Sequence, residues 1–351
     1  MAITISGSGI TSANIADGTI TTDDILASDV KNLKSGRKNL IINGGFDVWQ
    51  RGTSFSFNNE TKYTSDRWLV SHGGTGTMSQ QSFTPGQTDV PGEPTYYMRL
   101  NNSGATSKPD FIQRVEDVRT TASKTLTLSF WAKASTALTN EFYVHQRFGS
   151  GGSAEVGTVL GSVSIGTSWA KHSITFTMPS ISGKTIGAGS YAQLFCVRVL
   201  SGFVSGVTLD ITGVQLELGS VATDFEYRSY GEELALCQRY YHRVGTASSS
   251  YTYVATGGFT AGATEIVAFV YHPVEMRVVP SLGIDSLTNM EFRMDNDTSF
   301  TMMSYTPGTS QSSTKTAGLW FGGQNTVGLG KSGFIRVRNG LSGWFSFDAE
   351  L

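Results

Sequence analysis

The run Lys124-Thr-Leu-Thr-Leu-Ser-Phe-Trp-Ala-Lys133 decides the fold class. Leu126, Leu128, Phe130 and Ala132 occupy every second position, with Thr125, Thr127, Ser129, Trp131 and Lys133 between them. A period of two belongs to a β-strand with one buried face, so the first set is core and the second faces outward. The next run, Glu141 to Phe148, divides the same way, with Phe142, Val144, Gln146 and Phe148 on one side and Tyr143, His145 and Arg147 on the other. From Asn39 onward such short runs alternate with Gly, Asn, Ser and Pro at the spacing of a β-sandwich, and helical periodicity is nearly absent. The run Val207 to Leu218 changes phase at Gly213, which reads as a β-bulge.

Composition agrees with an all-β reading. Charged residues make up only 15% of the 351, and Gly alone accounts for 41. The formal net charge is −2 with no basic cluster, which argues against nucleic acid as a partner. The first residues lack the basic flank and apolar run of a secretory signal, and no stretch approaches the length of a membrane span. No membrane insertion is expected. Cys196 and Cys237 lie among apolar neighbours and are read as buried free thiols, with a single disulfide as the alternative.

Should the two outlined strands be adjacent, one polar face would carry Trp131, Tyr143, His145 and Arg147. Such a face suits sugar, because an aromatic ring stacks on the apolar side of a pyranose while polar groups bond its hydroxyls. Coverage of Trp131 by a loop or a neighbouring subunit is the alternative. Trp49, Trp68 and Trp169 sit beside apolar residues and are assigned to the core.

Residues 1–35 carry a different signal. Ile5, Ile10, Ile15, Ile20, Ile25 and Val30 recur every five residues, and Gly9 to Ile15 and Thr19 to Ile25 look like copies of one another. One chain of this kind cannot bury its isoleucines, whereas three chains around a common axis can. A homotrimeric stalk is therefore expected. A disordered tail and a monomeric solenoid are the alternatives.

A β-sandwich domain is assigned to 36–228. The next segment, 229–243, is read as a connecting helix of about three turns. Ser229 and Glu232 form a capping-box pattern, and Tyr230, Leu234, Cys237 and Tyr241 follow at helical spacing. Over 244–351, strands are expected at Thr264 to Tyr271, Gly318 to Gly322, Gly333 to Arg338 and Gly343 to Phe347, making a smaller β-sandwich at the tip. Trp320, Trp344, Tyr251 and Tyr253 are contact candidates there by residue type.

Three segments carry a resemblance to a known family. They are Asn39-Leu-Ile-Ile-Asn-Gly-Gly-Phe-Asp-Val-Trp-Gln-Arg-Gly-Thr-Ser54, Thr64-Ser-Asp-Arg-Trp68 and the closing Gly213-Val-Gln-Leu-Glu-Leu-Gly-Ser220. Together they resemble the jelly-roll domain of bacteriophage tail-fibre and appendage proteins, itself similar to the jelly rolls of carbohydrate-binding modules. Cys237-Gln-Arg-Tyr-Tyr241 and His272 to Ser281 resemble further stretches of those fibres. The resemblance implies a virion component, made in the host cytoplasm, that joins other tail proteins through its N-terminus. It would bind host surface polysaccharide or lipopolysaccharide. Some modules of this kind hold a structural calcium; Asp47 with Asp210 or Glu217 would be the ligands, although Gln215 stands where an acidic residue is expected.

No nucleophile elbow, zinc helix or Walker loop occurs, and Gly328-Leu-Gly-Lys-Ser-Gly333 lacks the context of a dinucleotide site and is read as a turn. The chain is therefore expected to be non-enzymatic and to need no cofactor. A structural connector that binds no sugar is the second reading, and a polysaccharide-cleaving tailspike, whose paired carboxylates need meet only in space, is the third.

Overall fold

The computed structural model describes residues 37–104, 109–247, 251–262, 264–294, 299–306, 312–323 and 329–351. The isoleucine repeat and the Asp295-Asn-Asp297 stretch lie outside the described residues. Asn39–Leu351 forms one compact unit.

The first ten strands are β1 Ser54–Tyr63, β2 Leu69–Ser82, β3 Tyr96–Asn102, β4 Asp110–Glu116, β5 Thr125–Ala134, β6 Leu138–Arg147, β7 Val156–Ile165, β8 Ala170–Thr177, β9 Tyr191–Ser201 and β10 Thr208–Leu218. They pair antiparallel in the order β7-β6-β9-β4-β2-β3-β10-β5-β8, with β1 on β2. The 14-residue β2 serves two layers: Leu69 to Ser71 pair with β4, and Gly76 to Ser82 pair with β3. The path therefore folds into a jelly roll, with β7-β6-β9-β4 in one layer and β3-β10-β5-β8 in the other. The alternating residues of β5 and β6 meet between the layers, where Phe130 and Phe142 lie 5.8 Å apart, centroid to centroid. Leu126, Leu128, Phe130, Phe142 and Val144 are all buried, as the period of two requires.

The opening run locks this sandwich to its last strand. Asn39 accepts from the amides of Ile41 and Leu216 and donates to the Val214 carbonyl. Asn43, in left-handed backbone at φ 59°, donates to the Val48 and Asp66 carbonyls and accepts from the Val48 amide. The indole of Trp68 donates to the Asn43 carbonyl, and a Cβ on Gly44 would collide with the Val214 carbonyl. The three segments quoted above thus touch one another through backbone and amide groups, with little tolerance for other residue types.

Beyond the jelly roll, helix α1 (Tyr230–Gln238) starts where expected, but at Ser229 the cap is made by backbone and no side-chain bond closes it. The helix is shorter than the sequence suggested. It ends at Gln238 because the chain turns at Arg239 and Tyr240 and enters β11 (Tyr241–Ala247). From there β12 Thr252–Thr260, β13 Glu265–Tyr271, β15 Met290–Met294, β16 Ser299–Thr306, β17 Thr316–Gly323 and β18 Ser332–Val337 close into a barrel in the order β12-β13-β17-β16-β15-β18. Strand β11 joins β14 (Ser281–Ile284) and β19 (Ser342–Asp348) in a three-stranded sheet. The C-terminal part is thus all-β as expected, with its main sheet closed on itself; closure removes the edges that an open sandwich would leave unpaired. Leu329 and Gly330 turn into β18, so the Gly-rich motif there has no βαβ context. Cys196 and Cys237 are both free and buried, and burial raises both thiols.

The last residues of the chain plug into the jelly roll. Arg67, completely buried in the loop before β2, pairs with Glu350 and lies 3.5 Å over the ring of Tyr240. Arg51 reaches Asp348 and Glu350 and lies 3.6 Å over the ring of Tyr241. The Leu351 carbonyl accepts from Arg114 and Tyr63. A charge pair this deep is expensive to break, because the remaining ion stays buried without a partner. Glu350→Ala should therefore lower unfolding free energy by about 3–5 kcal/mol in denaturant titration. A loss under 1 kcal/mol would show that the plug is dispensable.

A second buried polar contact couples stability to pH. His242 and His272 share a 2.7 Å hydrogen bond, and His242 stacks on Phe347. Burial, with a smaller effect of His272, pushes His242 down to about 4. Its folded-state value lies below its ordinary one, so its contribution is complete above pH 6.5 and lost as pH falls toward 4. The maximum slope is about 1.4 kcal/mol per pH unit. Asp47, Asp66 and Asp110, each raised to about 6, act in the opposite sense, so only a variant isolates the histidine. Comparing wild type with His242→Phe between pH 7 and 4 should show the wild type losing relative stability. Parallel curves would contradict the assignment.

Candidate functional site: an aromatic cleft on the jelly roll

Strands β8, β5 and β10 lie side by side, and their register places Lys171, Trp131 and Thr212 in one row. On the far side of β10, the Thr212 hydroxyl donates to the Tyr96 carbonyl at the start of β3. These residues point away from the core. Beside Trp131 the pairing of β10 with β5 shifts between Thr212 and Gln215, and Gly213 takes φ 60°. This is the bulge expected from the phase change. A Cβ on Gly213 would stand 3.5 Å from the Trp131 ring, an ordinary contact, so it is the left-handed backbone of the bulge that calls for glycine there.

After β10 the chain runs back over this sheet. Gly219 accepts from the Thr127 hydroxyl, Ala222 and Thr223 accept from the Lys171 ammonium, and Asp224 accepts from the Gln215 amide. That return explains why Thr127 and Ser129 are buried although they belong to the outward set. It also raises a wall: Phe225 and Tyr227 meet edge to face at 5.0 Å. Gly92 approaches Tyr227 too closely to carry a side chain, and the Tyr227 hydroxyl lies 3.4 Å from the Pro91 carbonyl. The opening run supplies the rest, with Asp47 and Trp49. The enclosed cleft has a volume of about 850 Å³ and is lined by Trp49, Tyr96, Trp131, Phe225, Tyr227 and Tyr230 together with Asp47, Gln80, Glu93, Lys171, Asp224 and Arg228. That volume and mixture suit a ligand of oligosaccharide size.

The aromatic rings are not equally available. Trp49 donates its indole N–H to the Phe46 carbonyl and stacks on Phe55, and Trp169 packs between Phe83 and Tyr97. Trp131 is half-exposed and makes neither a hydrogen bond nor a ring contact among the described residues. Tyr230 is 61% exposed. The Asp47 carboxylate accepts no hydrogen bond among the described residues; burial, with a smaller effect of Glu233, raises it to about 6.

Tyr143, His145 and Arg147 do not join Trp131. Strands β5 and β6 are consecutive in sequence but enter opposite layers, β5 between β10 and β8 and β6 between β7 and β9. Their apolar faces point at each other across the core, so their polar faces point apart. The adjacency that would have united the four residues does not exist. On β6 the three form a self-contained network. The Tyr143 hydroxyl lies 2.7 Å from His145 Nε2, Arg147 lies 3.3 Å from His145 Nδ1 and pairs with Glu155, and Arg198 covers the Tyr143 ring. Trp320 lies on β17 and Trp344 on β19, each half-exposed; Arg243 covers the Trp344 ring at 4.7 Å. Neither borders the cleft.

The carboxylates considered for calcium are likewise separated in role. Asp210 holds Arg99 through two bonds of 2.7 and 2.8 Å, and Glu217 accepts from the amide and hydroxyl of Thr223. No group of three or more metal-ligating side chains occurs among the described residues. The Arg228 guanidinium ties the opening segment to helix α1, bonded to the Asn39 and Ile41 carbonyls and to Glu233.

No protein-family model and no curated protein sequence matches the chain. Among solved structures, it is similar over 52% of its length to the enzymatically active domain of bacteriophage CBA120 tailspike protein 4, at 18% identity and a TM-score of 0.32, a match that spans 21% of that chain. It is similar over 54% of its length to the whole CBM22-1 xylan-binding domain of Paenibacillus barcinonensis Xyn10C, at 11% identity and a TM-score of 0.32. A family 11 carbohydrate-binding module from Clostridium thermocellum aligns over 50% of the chain and 98% of its own, at 13% identity and a TM-score of 0.29. Likenesses of this order assign no family.

Proposed function

We propose that this chain is a non-enzymatic fibre protein of a bacteriophage tail appendage, which attaches the virion to its host by holding a surface polysaccharide or lipopolysaccharide in the Trp131 cleft. The observation that carries the binding part is the cleft itself: an outward-facing tryptophan with no internal partner, framed by tyrosines and by polar groups that can bond hydroxyls. The virion part rests on the resemblance of the opening, closing and junction segments to phage fibre proteins. In this reading the isoleucine repeat at residues 1–35 gathers three chains and joins them to other tail proteins. Three clefts on one particle would turn weak single contacts into firm adhesion through effective concentration.

The test is adsorption of the purified full chain to host cells and to their extracted surface polysaccharide. Saturable binding is expected, and Trp131→Ala should weaken it about ten- to thirtyfold, the loss of roughly 1.4–2 kcal/mol typical of a central aromatic contact. Tyr143→Ala should leave it unchanged. Binding only to another virion protein would favour the connector reading, and release of reducing ends from the polysaccharide would contradict the non-enzymatic one.

A further inference from the structure

The charged groups around the cleft are unequally engaged, and that inequality selects a ligand. Both cations are partly engaged. The Arg228 guanidinium is almost fully buried among two backbone carbonyls, Glu226 and Glu233, and the exposed Lys171 ammonium bonds the Ala222 and Thr223 carbonyls at 3.2 and 2.7 Å. Two of the anions are less engaged. Asp47 accepts no hydrogen bond among the described residues, and Glu93 accepts only the Gly86 amide, at 3.2 Å. Asp224 also borders the cleft, and Glu233 on α1 adds a negative field behind Asp47. An incoming carboxylate or phosphate would meet three lining carboxylates against two partly engaged cations, whereas a hydroxyl or ammonium would meet an ionised acceptor, the stronger kind of hydrogen bond.

We infer that the cleft is selective for glycans without acidic groups, taking a neutral or amino sugar whose donors bond the Asp47 carboxylate while its apolar face lies on Trp131. This deepens the proposed function and rests on it. Asp47 is the specificity-determining residue, with Glu93 as a second acceptor at the rim. A carboxylate is a stronger acceptor than a carboxylic acid, and burial raises Asp47 to about 6, so affinity for a neutral glycan rises with pH from 5 to 7. The other charged groups facing Asp47 are Glu233, Glu93, Asp224, Lys171 and Arg228, and of these none has an ordinary value between pH 5 and 7.

Binding of the full chain to immobilised dextran, chitosan and polygalacturonate, measured by surface plasmon resonance at pH 5 and pH 7, tests this. The expected result is binding to dextran or chitosan that is at least tenfold tighter than to polygalacturonate, and, for the non-titrating dextran, tighter at pH 7. Asp47→Asn should reduce that preference about tenfold and flatten the pH response, and Glu93→Gln should reduce the preference less. Thermal melting checks that both variants fold. Preference for polygalacturonate that is lost in Trp131→Ala would overturn the selectivity while leaving the cleft as the binding site. An unchanged profile in Asp47→Asn would do the same. No saturable binding to any of the three, or binding indifferent to Trp131→Ala, would overturn the selectivity together with the reading of the cleft.

Discussion

Asn43 stands in left-handed backbone with its side-chain amide bonded to Val48 and Asp66, its carbonyl held by Trp68 and its own N–H donated to Glu233. Few residues other than asparagine can adopt that backbone and also supply donor and acceptor to neighbouring chain segments. Around it the opening run, the loop before β2, helix α1 and the closing strand become one piece, with Asn39 and Arg228 finishing the joint. Each of these bonds is modest in isolation. Their partners are buried, however, so losing one leaves a desolvated group unsatisfied, which costs more than the bond contributes.

The cleft is a consequence of that joint. Gly44 and Gly45 pass so close to Val214 and Phe225 that Asp47 and Trp49 are delivered beside β10, at the bulge made by Gly213. The same bulge lies beside Trp131, and the return of residues 219–227 over β5 supplies the opposite wall. Arg228 bonds carbonyls of the opening segment, which is the work a bound cation does in other proteins, and an organic cation fixed in the chain needs no supply of metal. In the same loop before β2, the Arg67 pair with Glu350 fastens the residues that follow β19 to the jelly roll. The site therefore sits on a rigid frame, which suits a surface that must hold a ligand without reorganising.

Much of the architecture was legible in the sequence, because a period of two can be seen without knowing the partners. Leu126 to Ala132, Phe142 to Phe148 and the bulge at Gly213 all fall where the pattern put them. The two buried thiols do as well. The site was legible only in part. Trp131 was identified as outward-facing, but its neighbours were misassigned because the sequence does not say which strands pair. In a jelly roll, consecutive strands can cross between layers, as β5 and β6 do. Trp49, read as core, packs against it and also lines the cleft, while Asp47 was named only as a calcium ligand that the resemblance implies; local composition cannot distinguish a cleft wall from an interior. Tyr227 and Tyr230 were hidden by their position after the last recognisable strand. The signal that would have found them is the pair of segments flanking β10: the opening and closing runs were noticed together, and contact between them implies that residues 219–230 lie beside Asp47 and Trp49.

The division of labour that follows is simple: the joint makes the frame, the frame makes the cleft, and the cleft presents one unclaimed tryptophan among acceptors. Hydrogen–deuterium exchange on the full chain, with and without saturating host surface polysaccharide, tests this most directly. The account predicts protection concentrated in residues 90–96 and 219–230. Protection confined to the face of Tyr143 and Phe195, or to the barrel, would contradict it.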